Sequence, residues 1–174
     1  MSDDPSAISI AAFGRQDLPA ALSLQNAIYP SFLVEEEDAF LSRINLTASY
    51  CLTAKQGDAL LGYLLAHGWK RGAPPPVGTV LADGMPSEVL FIHDLAVSPS
   101  TRGLGVGQRL IARTFERAAR DGLRSAELIA VEGAAGYWRR LGFSESDASG
   151  ALLEKLATYG TQARWMTRDI PPMR

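Results

Sequence analysis

The sequence predicts an α/β (α+β) domain, a β-sheet with helices packed on its faces. Three observations lead there. Strand-like and helical segments follow one another along the chain, and residues 89–141 alternate strand, helix, strand, helix. Residues 89–131 have the length of a crossover that joins two parallel strands through a helix. Finally, 174 residues with 47% hydrophobic and 21% charged side chains suit one substantial core and are short for two. Residues 1–174 therefore read as a single domain, with no internal repeat and no linker.

Each element has a local reason. Residues 8–13 form a short apolar strand. Leu18, Ala21, Leu22, Gln25 and Ile28 recur at helical spacing over 15–28, and Tyr29-Pro30 ends the run. A more charged helix is expected over 35–44. Residues 50–54 and 59–67 read as a hairpin around Gln56-Gly57-Asp58, with His67 as an edge residue. Residues 68–87 form a loop, since Pro74, Pro75 and Pro76 cannot donate to a ladder. The strand over 89–97 stops at Ser98-Pro99. Val106, Leu110, Ile111, Phe115, Ala118 and Ala119 make one apolar stripe on a helix over 103–119, closed by Asp121-Gly122. A strand over 126–131, a short helix over 133–141, a helical turn over 151–156 and a last strand over 163–167 complete the chain.

Composition excludes several roles. A formal charge of -2, from 17 basic and 19 acidic residues, argues against a general nucleic-acid surface. Cys51 is the only cysteine and sits in an apolar run, so it reads as a small buried hydrophobe and forms no internal disulfide. The acidic N-terminus is unlike a secretory signal, and no run approaches the ~18 apolar residues that span a bilayer. A cytoplasmic protein is the expectation.

The chemistry-bearing stretch is Arg102-Gly103-Leu104-Gly105-Val106-Gly107. It lies between a strand end and a helix start, where first-turn N–H groups have no intrahelical acceptor and gather into an anion site. Glycines there let a ligand approach the backbone or permit unusual dihedrals. A phosphate loop would need a Gly-Lys-Ser/Thr, and a dinucleotide fingerprint would need Gly at 108 or 110. Gln108 and Leu110 stand there instead. A phosphate cradle and a purely structural turn both remain open at this point.

The same hexapeptide resembles the R/Q-x-x-G-x-G/A signature of the GCN5-related N-acetyltransferase (GNAT) superfamily. His93 to Pro99 resembles that family's central strand, and Tyr137-Trp138-Arg139-Arg140-Leu141-Gly142-Phe143 its later helix-to-strand motif. The resemblance is dense over 89–143. It implies an acyl-CoA N-acyltransferase-like fold, with a mixed central sheet of about six or seven strands flanked by about four helices. It also implies acetyl-CoA as co-substrate. The backbone of Arg102, Gly103, Leu104, Gly105, Val106 and Gly107 would hold the pyrophosphate, and Leu95, Ala96 and Val97 would pair with the pantetheine arm, with Trp138 beside it. Arg109, Arg113 and Arg117 read as a solvated face, with the adenosine 3′-phosphate as the alternative.

In the family a Tyr commonly precedes the final Phe by five positions; Trp138 stands there, and Val131 replaces a frequent Asn. Tyr137, one residue earlier, is the candidate acid, with Tyr159 as an alternative. For the base, His93 is preferred over Asp94, Glu88 and a water relay from Glu132. Strict alternation would let only one of His93 and Asp94 face the acceptor. The 15–44 helices and the 68–87 loop would cover the acceptor, and the run Glu35-Glu36-Glu37-Asp38 reads as a solvated helix start or a lure for a cationic amine. The function implied is acetyl transfer to an amine of a small molecule or protein. A CoA-binding sensor without turnover is the alternative from another class. A homodimer is left open, and no nucleic acid, membrane or metal is expected.

Overall fold

The central strand has different partners on its two sides, and this organises the molecule. The computed structural model describes residues 4, 6–131, 133–148 and 150–173. The elements are β1 (Ile8–Ala12), α1 (Leu18–Ile28), α2 (Glu37–Ile44), β2 (Leu52–Gln56), β3 (Ala59–Trp69) and β4 (Val89–Val97). Beyond them come α3 (Val106–Arg120), β5 (Ser125–Ala130), α4 (Ala135–Arg140), β6 (Ser144–Glu145), α5 (Ala151–Ala157) and β7 (Arg164–Asp169). They build a seven-stranded sheet in the order β1-β2-β3-β4-β5-β7-β6. Every pairing is antiparallel except β4 with β5. The mixed sheet and its flanking helices are those anticipated from the sequence.

Alternation along the strands buries apolar side chains on both faces of the sheet. On one face α3 lays Leu110, Ile111 and Phe115 against Leu64, Leu90 and Ile92. On the other, α1 and α2 bury Leu18, Ala21 and Phe40 against Tyr63, Leu65 and Ala96. The α3 stripe is the one read from the sequence, and the Gly57 turn (φ 60°) joins β2 to β3 as expected. Two details differ. β6, two residues long, carries too little pattern to be read as a strand. α2 begins at Glu37, so Glu35 lies before the helix and is free to turn inward. Among the described residues no helix is long and apolar enough to cross a membrane.

β4 pairs with β3 from Val89 opposite Trp69 to Val97 opposite Gly62, with one break in register between Leu65 and Ala66. It pairs with β5 only over Leu90, Ile92 and the residue between them. β5 continues alongside β7 to Ala130. The two central strands therefore part beyond Ile92 and Leu128, and a cleft opens between them.

His67 is not an edge residue. β3 lies inside the sheet, and the imidazole is fully buried between Trp69 and Phe91. Nδ1 lies 3.3 Å from the Gly68 carbonyl, and Nε2 has no protein partner among the described residues. Burial, reinforced by His93 and Arg43, pushes its pKa down from 6.5 to about 3. Between these values the unfolded chain takes up a proton that the folded one refuses. The stabilisation is complete above pH 6.5 and fades as pH falls toward 3. In urea unfolding from pH 7 to 4, His67→Leu should therefore lose less stability on acidification than the parent. The difference in slope approaches about 1.4 kcal/mol per pH unit; equal slopes would contradict it.

Candidate active site

The site begins with a bulge. Leu65 pairs with Asp94 and Ala66 with Ile92, so His93 has no partner on β3. One extra residue reverses the alternation. Leu90 and Ile92 face α3 before it, as Leu95 and Val97 do after it. His93 and Asp94 consequently share the opposite face. Strict alternation would have separated them; the bulge brings both into one cavity of about 360 Å³. This cavity lies where β4 and β5 part.

Each polar group there is held. His93 Nε2 lies 2.5 Å from Glu35 Oε1, while Nδ1 is buried with no protein partner among the described residues. Glu35 Oε2 accepts the Gly78 N–H at 2.7 Å and lies 3.7 Å from the buried Arg43 guanidinium. Burial by itself would raise the Glu35 pKa. His93, Arg43 and the Gly78 N–H outweigh it and hold the carboxyl at about 2. Asp94 accepts from Tyr29 and Tyr63, each at 2.6 Å. Burial raises its pKa against the pull of these phenols.

Of the other base candidates, Glu88 is exposed at the far end of β4 and accepts the Arg71 N–H. Glu132 lies outside the described residues. The acidic run divides: Glu35 is buried, whereas Glu36, Glu37 and Asp38 are exposed around the start of α2. Glu35 is the important residue that sequence reasoning placed wrongly. Its helical register offered no signal for a partner 58 positions away.

A second cavity, about 640 Å³, adjoins the first and shares Leu95 and Tyr137 with it. Val97, Arg102, Gly103, Gly105, Val106 and Gly107 line it, together with Arg140. The first bond into α3 runs from the Arg109 N–H to the Gly105 carbonyl at 3.0 Å. The preceding N–H groups at the helix start therefore have no intrahelical acceptor. Gly103 and Gly105 have φ of 85° and 68°, so turn geometry already requires them. A Cβ at Gly103 would meet only open space. Open room before free N–H groups, flanked by Arg102 and Arg140, fits a pyrophosphate.

The side chains of three predicted cofactor residues point away from the second cavity, which leaves the backbone roles expected of Ala96 and Leu104 untouched. The Ala96 side chain lies in the α1–α2 core, and Leu104 points to solvent with 52% exposure. Trp138 is packed edge-on to Phe143 in the α3 core and reaches only the inner cavity. Arg109, Arg113 and Arg117 of α3 have contacts of their own. Arg109 reaches the Ile8 carbonyl, Arg113 pairs with Glu116, and Arg117 lies over the Tyr50 ring.

The tyrosines separate clearly. Tyr159 donates to the Pro75 carbonyl at 2.5 Å, fixing the proline-rich loop rather than offering a free proton. Tyr137 stands where the two cavities meet, with its hydroxyl over Gly107. Burial raises its pKa, against the pull of Arg140, so it stays protonated at neutral pH. The 100° helical step sends Trp138 into the core and Tyr137 to the junction.

Comparison with known proteins accords with this architecture. The Acetyltransferase (GNAT) family matches residues 18–143. The chain belongs to that family. Solved structures of similar fold include the ribosomal-protein-S18-alanine N-acetyltransferase of Escherichia coli (TM-score 0.66, 18% identity, 97% of this chain and 96% of that one). The loading GNATL domain of CurA from Lyngbya majuscula gives a TM-score of 0.72 at 11% identity, over 94% of this chain and 98% of that one. A PaiA N-acetyltransferase from Thermoplasma acidophilum, in complex with coenzyme A, gives 0.62 at 14%, over 94% and 99%. A 63-residue stretch is 43% identical to an uncharacterized N-acetyltransferase of Methanocaldococcus jannaschii, covering 34% of this chain and 28% of that protein.

Gly107 admits a direct test. A Cβ there would overlap the Tyr137 hydroxyl and lie 3.3 Å from its Cζ. Gly107→Ala should destabilise the fold by about 1–3 kcal/mol through overpacking. Adding Tyr137→Phe should recover much of that, giving a coupling energy of about 1 kcal/mol in a double-mutant cycle of denaturant unfolding. Additive effects would place Tyr137 elsewhere.

Proposed function

We propose that this protein is an acetyl-CoA-dependent N-acetyltransferase that acts on the amine of a small molecule. One observation carries the reading: the glycine-loop cradle opens, at Leu95 and Tyr137, directly into a cavity that holds a buried carboxylate–imidazole pair. Acetyl-CoA, when bound, supplies an activated thioester. The chain's own residues do the rest. The cradle N–H groups and Arg102 hold the pyrophosphate, and the free edge of β4 at Leu95 and Val97 pairs with the extended arm.

An alkylammonium has a pKa near 10 and must lose a proton before its nitrogen can attack. Glu35 orients the His93 ring through Nε2 and leaves Nδ1 without a protein partner; a small movement of the ring that uncovers this buried nitrogen lets it take the proton, directly or through water. Asp94 is less suited, because both its oxygens already accept phenol protons. Tyr137, protonated and at the junction of the cavities, supplies a proton to the departing thiolate.

The experiment uses acetyl-CoA binding as its control. His93→Gln should bind acetyl-CoA with the parent affinity by calorimetry while kcat falls by about a hundred-fold or more. Unchanged kcat would remove His93 from the chemistry, and loss of binding would place it in the cofactor site instead.

A further inference from the structure

Resting on the acetyl-transfer reading, we infer that the acceptor is a primary monoamine carried on a compact apolar body, and that amino acids, polyamines and aminoglycosides are poor substrates. The inner cavity distributes its polar groups unevenly. Glu35, His93 and Asp94 gather along one part of its wall. Apart from the hydroxyls of Tyr29, Tyr137 and Tyr159, the rest is apolar or aromatic, including Leu33, Val77, Ile129 and Val131. At about 360 Å³ it falls at the lower end of small-molecule sites, which run from about 300 to 1,000 Å³.

Three classes of acceptor meet an obstacle. A carboxylate-bearing amine finds no cation, because among the described residues the wall contains no Lys or Arg. Arg43 is fully buried, bonded to the Ala39 and Thr79 carbonyls, and does not line the cavity. Such a carboxylate would instead face Glu35 and Asp94. A polyamine or aminoglycoside would press further ammonium groups against apolar side chains without partners, a costly desolvation. The exposed Glu36, Glu37 and Asp38 offer no relief, since none lines the cavity. One amine directed to His93, with an apolar remainder along Val77, Ile129 and Val131, leaves no buried charge unpaired.

The loop between β3 and β4 gives this wall its shape. The Tyr159 hydroxyl holds the Pro75 carbonyl, Glu35 holds the Gly78 N–H and Arg43 holds the Thr79 carbonyl at 3.1 Å. Val77 lies among these three ties. The proline-rich segment is thus a fastened side of the cavity, and its apolar residue is a determinant of specificity.

The test pairs turnover with direct binding. Thiol release with acetyl-CoA is measured for 2-phenylethylamine, hexylamine, spermidine, glutamate, kanamycin and a short peptide with a free N-terminus. Binding of the same amines to the protein loaded with coenzyme A is followed by ligand-observed NMR. We expect kcat/KM for the two apolar amines to exceed the others by about a hundred-fold, the scale on which pockets reject unpaired polar groups. Val77→Asp, and separately Val131→Asp, should shrink the preference for phenylethylamine over spermidine by about ten-fold or more. Better turnover of spermidine, glutamate, kanamycin or the peptide would overturn the substrate class. So would failure of both apolar amines to bind the loaded protein. Absence of acetyl-CoA binding would instead overturn the transfer reading, and the substrate class with it.

Discussion

The cleft and its chemistry depend on one residue of β4, His93, that has no partner on β3. A regular β4 would send His93 and Asp94 to opposite faces and leave the inner cavity with only one of them. The bulge keeps two consecutive residues on the face opposite α3, then returns Leu95 and Val97 to the α3 face. Just beyond it β4 and β5 separate, because β5 remains bound to β7 while β4 remains bound to β3. Polar side chains inside the cleft and a free strand edge at its rim therefore arise from the same stretch of backbone.

Several segments around the inner cavity meet at Glu35. This buried carboxylate is tied to His93 on β4, to the loop through Gly78 and to α2 through Arg43. Removing a partner from such a group leaves an unpaired charge in a poorly hydrated place, so the four segments are held in register by electrostatics as well as packing. The same ties explain how a loop with three prolines can form a fixed wall. Its own sequence makes no ladder, but the side chains of Tyr159, Glu35 and Arg43 hold two of its carbonyls and one of its N–H groups.

Much of this was readable from the sequence, and the gaps have physical causes. The α3 stripe, the hairpin turn at Gly57 and the glycine turn that leads into α3 are local patterns and stand as expected. Long-range pairings leave no such pattern. Nothing near residue 35 indicates that this glutamate, unlike Glu36 and Glu37, is drawn to His93. Bulges are equally silent, since an inserted residue looks like any other residue of a strand, and alternation read across it assigns faces wrongly. Trp138 shows a third cause. A family position carried over residue by residue presumed one helical phase, whereas the packing of Trp138 on Phe143 selects another and turns Tyr137 to the junction.

On the proposed function, the parted edge of β4 and the start of α3 form one continuous cofactor surface. Backbone amide shifts of isotope-labelled protein titrated with coenzyme A test it most directly. Saturating changes should concentrate at Leu95, Val97 and residues 102–108, with a weaker response at Tyr137. Changes confined to the polar hollow around Arg71, Ser125 and Thr167, or no saturable change at the glycine loop, would contradict it.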